Sequence, residues 1–172
     1  MKNTRYVILA LLLAVVQVLI WSVLNLTPYF LIALLPAVIL FMPVKSGDVP
    51  ALIFAFILSI AVDFFSHGVT GLCAASLLPV ALLRRWIIRI VFGSEIAARG
   101  EDLNLKRLGY PKVMLALFIA NMLFLIIYVW IDGAGTRTFL FNAVRVLLSS
   151  AASTAAGLFA ASILGSESRR WR

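Results

Sequence analysis

The stretch LSIAVDFFSHGVTGLCAAS, residues 58–76, places a single acidic residue inside an apolar run and then interrupts that run with glycine. Asp63 has apolar neighbours on both sides, and no other charged residue occurs between Asp48 and Arg84. The polar and glycine residues that follow Asp63 predict that one helix ends here and another begins after a tight turn. The chain must therefore stabilise an acid at the end of an apolar helix.

The rest of the chain is as apolar as this stretch. Of its 172 residues 63% are hydrophobic and 13% are charged, and the mean hydropathy is +1.08. A soluble domain is about 45–50% apolar and about 25% charged. The composition predicts an all-α integral membrane protein that forms a single domain over residues 1–172, because no polar segment is long enough to form a second domain.

Six apolar segments of the chain predict six transmembrane helices. The second is short and contains Pro36, and the fourth contains Pro79. The first is too long for a signal peptide and is not followed by a cleavage site, so we expect it to be retained. The predicted spans are 6–24, 28–43, 49–65, 69–92, 112–131 and 139–164.

The basic residues predict the orientation of these helices. The net charge of +8 comes from short loops rather than from one basic face, which argues against nucleic-acid binding. With six spans, thirteen of the fifteen basic residues lie on the side of both termini, and only Arg137 lies in a loop on the other side. The positive-inside rule then places both termini in the cytoplasm, as in a multi-pass protein of a bacterial inner membrane.

The segment RRWIIRIVF, residues 84–92, alternates basic and apolar residues at helical spacing. We interpret it as an anchor for lipid headgroups, and a partner-binding site is the alternative. The polar loop 93–111 follows it and has no assigned role.

The sequence does not predict an enzyme. His67 is the only histidine and Cys73 the only cysteine, so paired-histidine and cysteine-based metal sites are excluded. Ser66 precedes His67, but adjacent side chains rarely face each other and no nucleophile-elbow motif surrounds them. We expect no catalytic residue, metal or cofactor.

The sequence offers Arg145 as the partner of Asp63, because Arg145 is the other charge inside a predicted span away from the cytoplasmic ends. At about 1.5 Å per residue the two charges lie at similar depths in their helices. Each also ends a row of small residues, and small residues allow close helix packing in membranes. We therefore predict an ion pair with antiparallel packing of two rows, which are Ala51, Ala55, Ser59 and Ser149, Ser153, Gly157. The alternative is that Asp63 caps a local turn while Arg145 extends outward.

The stretch VDFFSHGVTGLCAASLLPVALLR, residues 62–84, resembles the core of the rod-shape-determining MreD family, in the branch found in Bacteroidetes-like bacteria. The motif of that family is matched by Asp63, Ser66, Gly68, Gly71 and Ala74. Leu105, Leu108 and Gly109 resemble its later L-x-x-L-G element, and RVLLS, residues 145–149, resembles the start of its last helix. His67 departs from the motif, which has a small residue there.

The resemblance implies a non-enzymatic inner-membrane component of the cell-elongation complex. Its partners would be an MreC-like membrane protein and, indirectly, MreB, RodA and its transpeptidase. The implied fold is similar to that of the membrane-embedded substrate-binding subunits of energy-coupling-factor transporters. The alternative function is therefore a small-molecule (vitamin-type) binding subunit of a transporter.

Overall fold

A computed structural model describes residues 2–24, 31–43, 47–66, 70–93, 108–133 and 138–166 of the chain. These residues form six helices, which confirms the all-α fold class for the described part of the chain. The helices are α1 (Lys2–Leu24), α2 (Leu35–Leu40), α3 (Asp48–Phe65), α4 (Leu72–Phe92), α5 (Tyr110–Gly133) and α6 (Phe139–Ser166).

The five long helices surround the short one. Neighbouring long helices pack in the order α1, α3, α4, α5, α6 and back to α1, with α1 against α6 the smallest of these interfaces. Helix α2 contacts all five of them, and each of its six residues is buried. The core of the bundle therefore contains a short helix rather than a void.

Local sequence explains where α3 and α4 begin and where α4 ends. Gly47 and Gly71 directly precede α3 and α4, and Gly93 follows α4. All three have positive φ, between 77° and 96°, a conformation that glycine adopts without steric cost. Pro79 lies inside α4, as predicted, and the helix continues past it to Phe92.

The prediction of a helix over 28–43 is wrong for most of its described part. Residues 31–34 are not helical, and α2 has only six residues, or about 9 Å at 1.5 Å per residue. Pro36 explains why no regular helix runs into α2 from residue 32, because proline lacks the N–H that would bond the Ile32 carbonyl. It lies in the first turn, where the missing N–H costs nothing. Residues 28–30 lie outside the described residues.

Three described helices are long and apolar enough to cross a membrane: α3, α5 and residues 139–162 of α6. In α1 the described apolar part is the shorter segment Tyr6–Ser22. Helix α4 has 21 residues but contains three arginines near its C-terminal end. Membrane-helix character is thus present in the described part of the chain, and the six membrane spans remain a prediction.

Candidate functional site: buried polar groups inside the bundle

The Asp63 carboxylate is bonded to the beginning of α4. It accepts hydrogen bonds from the backbone N–H of Gly71 at 2.9 Å and from that of Cys73 at 3.1 Å. Asp63 is only 4% exposed, so these bonds form away from water. Free N–H groups at a helix N-terminus carry a partial positive charge that favours a carboxylate. Asp63 therefore caps α4 from the last turn of α3.

The other residues of the sequence motif have supporting positions. The Ser66 hydroxyl donates to the carbonyl of Val62 at 2.6 Å and thereby occupies an acceptor at the end of α3. Ala74 is buried in the first turn of α4. Gly68 and His67 lie outside the described residues, as does Leu105 of the later element. The structure thus brings Asp63 and Gly71 into direct contact and places Ser66 and Ala74 on either side of the turn.

Arg145 is paired with Asp132 rather than with Asp63. Its Nη1 lies 3.2 Å from Asp132 Oδ2, and Arg145 is 8% exposed. No ion pair among the described residues joins Arg145 to Asp63, so the structure corrects this prediction in favour of the alternative of a local cap for Asp63. Arg145 does not extend outward as that alternative supposed.

The physical reason is the arrangement of the helices around the bundle. Depth along a helix axis does not specify the direction in which a side chain points, and α3 and α6 are not neighbours in the packing order. Asp132 is the nearer partner because α6 begins only a few residues after α5 ends.

The small residues of α6 pack against the segment 31–42, which we call the central segment. The Ser149 hydroxyl accepts from the N–H of Leu31 at 3.1 Å, and that of Ser153 accepts from Ala33 at 2.9 Å. A methyl group added to Gly157 would lie 3.5 Å from the Cβ of Ala37. The predicted pairing of this row with α3 is therefore corrected: the close approach serves the central segment.

The small residues of α3 are buried as predicted but have other neighbours. Ala51, Ala55 and Ser59 are each at most 1% exposed. The packing partners of α3 are α4, α1 and α2. The Ser59 hydroxyl donates to the carbonyl of Phe56 in its own helix at 2.9 Å. This row therefore provides close helix packing without a polar bond to α6.

Helix α1 bonds the non-helical part of the central segment from another side. The Gln17 side chain donates to the carbonyl of Ile32 at 2.8 Å and accepts from the N–H of Leu34 at 2.6 Å. The Trp21 indole donates to the same Ile32 carbonyl at 2.7 Å. Gln17 thus provides hydrogen-bond partners for two backbone groups of this non-helical stretch.

The opposite end of the central segment is bonded by Tyr6 and Arg84. The Tyr6 hydroxyl donates to the carbonyl of Val38 in α2. Arg84 donates from Nε to the carbonyl of Leu40 at 3.3 Å and from Nη2 to that of Met42. Since α2 ends at Leu40, Arg84 bonds the last carbonyl of the helix, which a helix C-terminus leaves unpaired, and the Met42 carbonyl just beyond it. Arg84 is 4% exposed, which corrects its prediction as a headgroup anchor.

Three buried polar atoms in the described residues have no hydrogen-bond partner: Asn121 Oδ1, Asn142 Oδ1 and Arg145 Nε. The Asn121 amide donates to the Thr154 hydroxyl at 3.5 Å, which links α5 to α6. The Thr154 hydroxyl donates in turn to the Ser150 carbonyl of its own helix at 2.7 Å. These groups contribute contacts between α5 and α6 and leave two acceptors and one donor unused.

The side chains that hydrogen-bond to the central segment have a structural role, and we call them the framework residues. The described residues contain no group of three or more histidine, cysteine, aspartate or glutamate side chains that could hold a metal ion. Sequence reasoning missed Tyr6, Gln17, Trp21 and Arg84 as framework residues. Gln17 gave a usable signal, since it is the polar residue in the middle of an apolar helix.

Comparison of the chain with models of known protein families, with curated proteins and with solved structures finds no match.

Proposed function

We propose that this chain is a non-enzymatic component of the bacterial cell-elongation complex, related to the MreD family, and that it binds an MreC-like membrane protein in the inner membrane. Through that partner it would act with MreB, RodA and the associated transpeptidase. The observation that carries the proposal is the bond between Asp63 and the Gly71 amide. It makes two separated residues of the family-like motif parts of one structural feature, the capped turn between α3 and α4.

The distribution of polar and apolar groups supports a role in binding rather than in chemistry. Four of the buried polar side chains, Gln17, Arg84, Ser149 and Ser153, bond backbone groups of the central segment. The outward faces of the helices are apolar, as shown by Ile57 and Phe64 on α3 and Phe159 on α6. Such a surface suits lipid and the transmembrane helix of a partner. The same use of polar groups disfavours the transporter-subunit alternative, because such a site needs convergent polar groups that a ligand can reach.

Affinity purification of the tagged full-length chain from its own host in mild detergent tests the proposal. We expect recovery of a membrane protein with a single transmembrane helix and a large external domain, together with cell-wall synthesis enzymes. Recovery of a tightly bound small molecule and of an ATP-hydrolysing transporter module, without cell-shape proteins, would favour the alternative. Turnover of a substrate by the purified chain would contradict the non-enzymatic role.

A pair of variants connects this result to the structure. Asp63→Asn weakens the cap between α3 and α4, whereas Asp48→Asn removes an acid whose side chain is 46% exposed at the other end of α3. In a host that lacks the native copy, we expect Asp48→Asn to restore rod shape and Asp63→Asn to restore it less well at equal expression. Full rescue by both variants would remove the support that Asp63 gives to the proposal.

A further inference from the structure

The three arginines near the end of α4 have three different environments. Arg84 is buried against the central segment. Arg85 forms an ion pair with Asp48, with Nε 2.7 Å from Oδ1. Arg89 is exposed, and its guanidinium carbon lies 6.0 Å from the centre of the Trp86 ring. No ion pair among the described residues includes Arg89, so it carries the uncompensated positive charge of this group.

The surface beside Arg89 is apolar and open. Leu82, Trp86 and Ile90 are spaced four residues apart and therefore share one face of α4. They are 58%, 60% and 73% exposed, respectively. Tryptophan concentrates at the interface between hydrocarbon and headgroups, where its ring is partly apolar and its N–H is polar. Trp86 thus marks the level on α4 at which apolar contacts with hydrocarbon and polar contacts with headgroups are both available.

The order of these residues along α4 matches the order of the parts of a phospholipid. Arg89 lies in the last turn, because the helix ends at Phe92. Leu82 lies seven residues earlier, about 10 Å deeper along the helix. An acyl chain along Leu82 and Trp86 would place the attached phosphate near Arg89. The planar guanidinium group donates two parallel hydrogen bonds to phosphate oxygens. In a zwitterionic lipid the neighbouring ammonium group cancels the charge of the phosphate, so Arg89 attracts an anionic lipid more strongly.

We propose that Trp86 and Arg89 form a binding site for an anionic phospholipid, with the phosphate on Arg89 and an acyl chain along Leu82 and Trp86. The inference rests on the membrane location included in the proposed function. Charge complementarity selects the lipid: the uncompensated charge of this face is positive and its remaining surface is apolar. An acidic segment of a protein partner is the competing occupant.

Lipid binding by the purified full-length chain tests the site. Native mass spectrometry in mild detergent would compare added phosphatidylglycerol with phosphatidylcholine of the same acyl chains. We expect preferential retention of phosphatidylglycerol. Arg89→Gln should reduce the affinity for phosphatidylglycerol about fivefold, since a basic residue near an anionic surface contributes about 1 kcal/mol, and should reduce that for phosphatidylcholine less. Trp86→Leu should reduce the affinity for both lipids.

Lys112→Gln is the matched control. Lys112 is an exposed cation in the first turn of α5 and has no ion pair within the described residues. Its neutralisation should leave the phosphatidylglycerol preference unchanged. An equal loss of phosphatidylglycerol affinity in Lys112→Gln and Arg89→Gln would show that only the total charge of the protein counts, which would overturn the site. Equal affinity of the wild type for both lipids would also overturn it. An acidic protein that is lost with Arg89→Gln, without a lipid preference, would assign the surface to that partner instead.

Carbonate washing of the host membranes separates failure of this inference from failure of the proposed function. Retention of the chain without a preference for anionic lipid would overturn the lipid site alone. Release of the chain by carbonate would overturn the membrane location and the lipid site with it.

Discussion

At the scale of single residues, the acid inside the apolar run is stabilised by backbone N–H groups. A carboxylate in the centre of a membrane helix costs about 2.5–3.5 kcal/mol on insertion scales. Two backbone hydrogen bonds and the partial charge of the α4 N-terminus offset this cost. Asp63 is therefore stabilised locally, by N–H groups eight and ten residues further along the chain.

Replacement of Asp63 should destabilise the bundle more than its charge alone suggests. Asp63→Ala leaves two buried N–H groups without an acceptor, so we expect a loss of about 2–3 kcal/mol in the free energy of unfolding. Asp63→Asn keeps an acceptor oxygen and should lose less. Thermal unfolding in detergent measures both, with Asp48→Ala as the control, because its exposed ion pair should contribute less than about 1 kcal/mol. Equal effects at 48 and 63 would contradict the cap.

The pairing of Arg145 is testable by two double-mutant cycles. Residues in contact couple by about 0.5–3 kcal/mol, and independent residues add within about 0.5 kcal/mol. We expect coupling in that range between Asp132→Asn and Arg145→Gln, because their charged atoms are 3.2 Å apart. The cycle of Asp63→Asn with Arg145→Gln should show weaker coupling. Stronger coupling of Arg145 to Asp63 than to Asp132 would instead support the ion pair that the sequence predicts and contradict the structure.

At the scale of elements, the central segment depends on its neighbours for its shape. Non-helical backbone at membrane depth is tolerated only where it is buried in protein, since each unpaired polar group costs several kcal/mol in hydrocarbon. Residues 33–42 are buried, and side chains from α1, α4 and α6 bond their backbone. The segment therefore connects three helices that have little direct contact with one another.

Ser153→Ala should show this dependence. The substitution leaves the N–H of Ala33 without its acceptor, which we expect to cost about 1–3 kcal/mol of unfolding free energy. Ser76→Ala is the matched control, because Ser76 is equally buried but its hydroxyl donates only within α4, to the carbonyl of Leu72 at 2.9 Å. Thermal unfolding of both variants in the same detergent gives the comparison. A smaller loss at Ser153 than at Ser76 would mean that the hydroxyl of Ser153 does not support the central segment.

At the scale of the whole molecule, the arrangement is five long helices around a short buried one. This arrangement alters the argument for orientation, because α2 is too short to cross a ~30 Å hydrocarbon core. The positive-inside rule still applies to the loops. It places the basic loops and both termini on one side of the membrane if the central segment as a whole crosses the membrane.

Reporter fusions test the orientation. We expect fusions after Arg172 and within 95–108 to report the cytoplasm and a fusion at 133–135 to report the outside. The reason is the thirteen basic residues that this topology places inside. A C-terminus outside the cell, with the loop 95–108 inside, would indicate that the central segment returns to the side from which it enters.

The sequence by itself determined the helical class, the positions of the five long helices to within a few residues and the turn after Asp63. Periodic apolar runs, glycine and proline act locally, so these features can be derived from neighbouring residues. The small rows on α3 and α6 are buried, but they pack against other partners than the sequence predicted. Only the tertiary structure decided which helices face each other, and with this the partners of Asp63, Arg145 and Arg84. Those partners depend on the rotation of each helix about its axis and on the break before Pro36, and both are set by packing around the central segment rather than by local sequence.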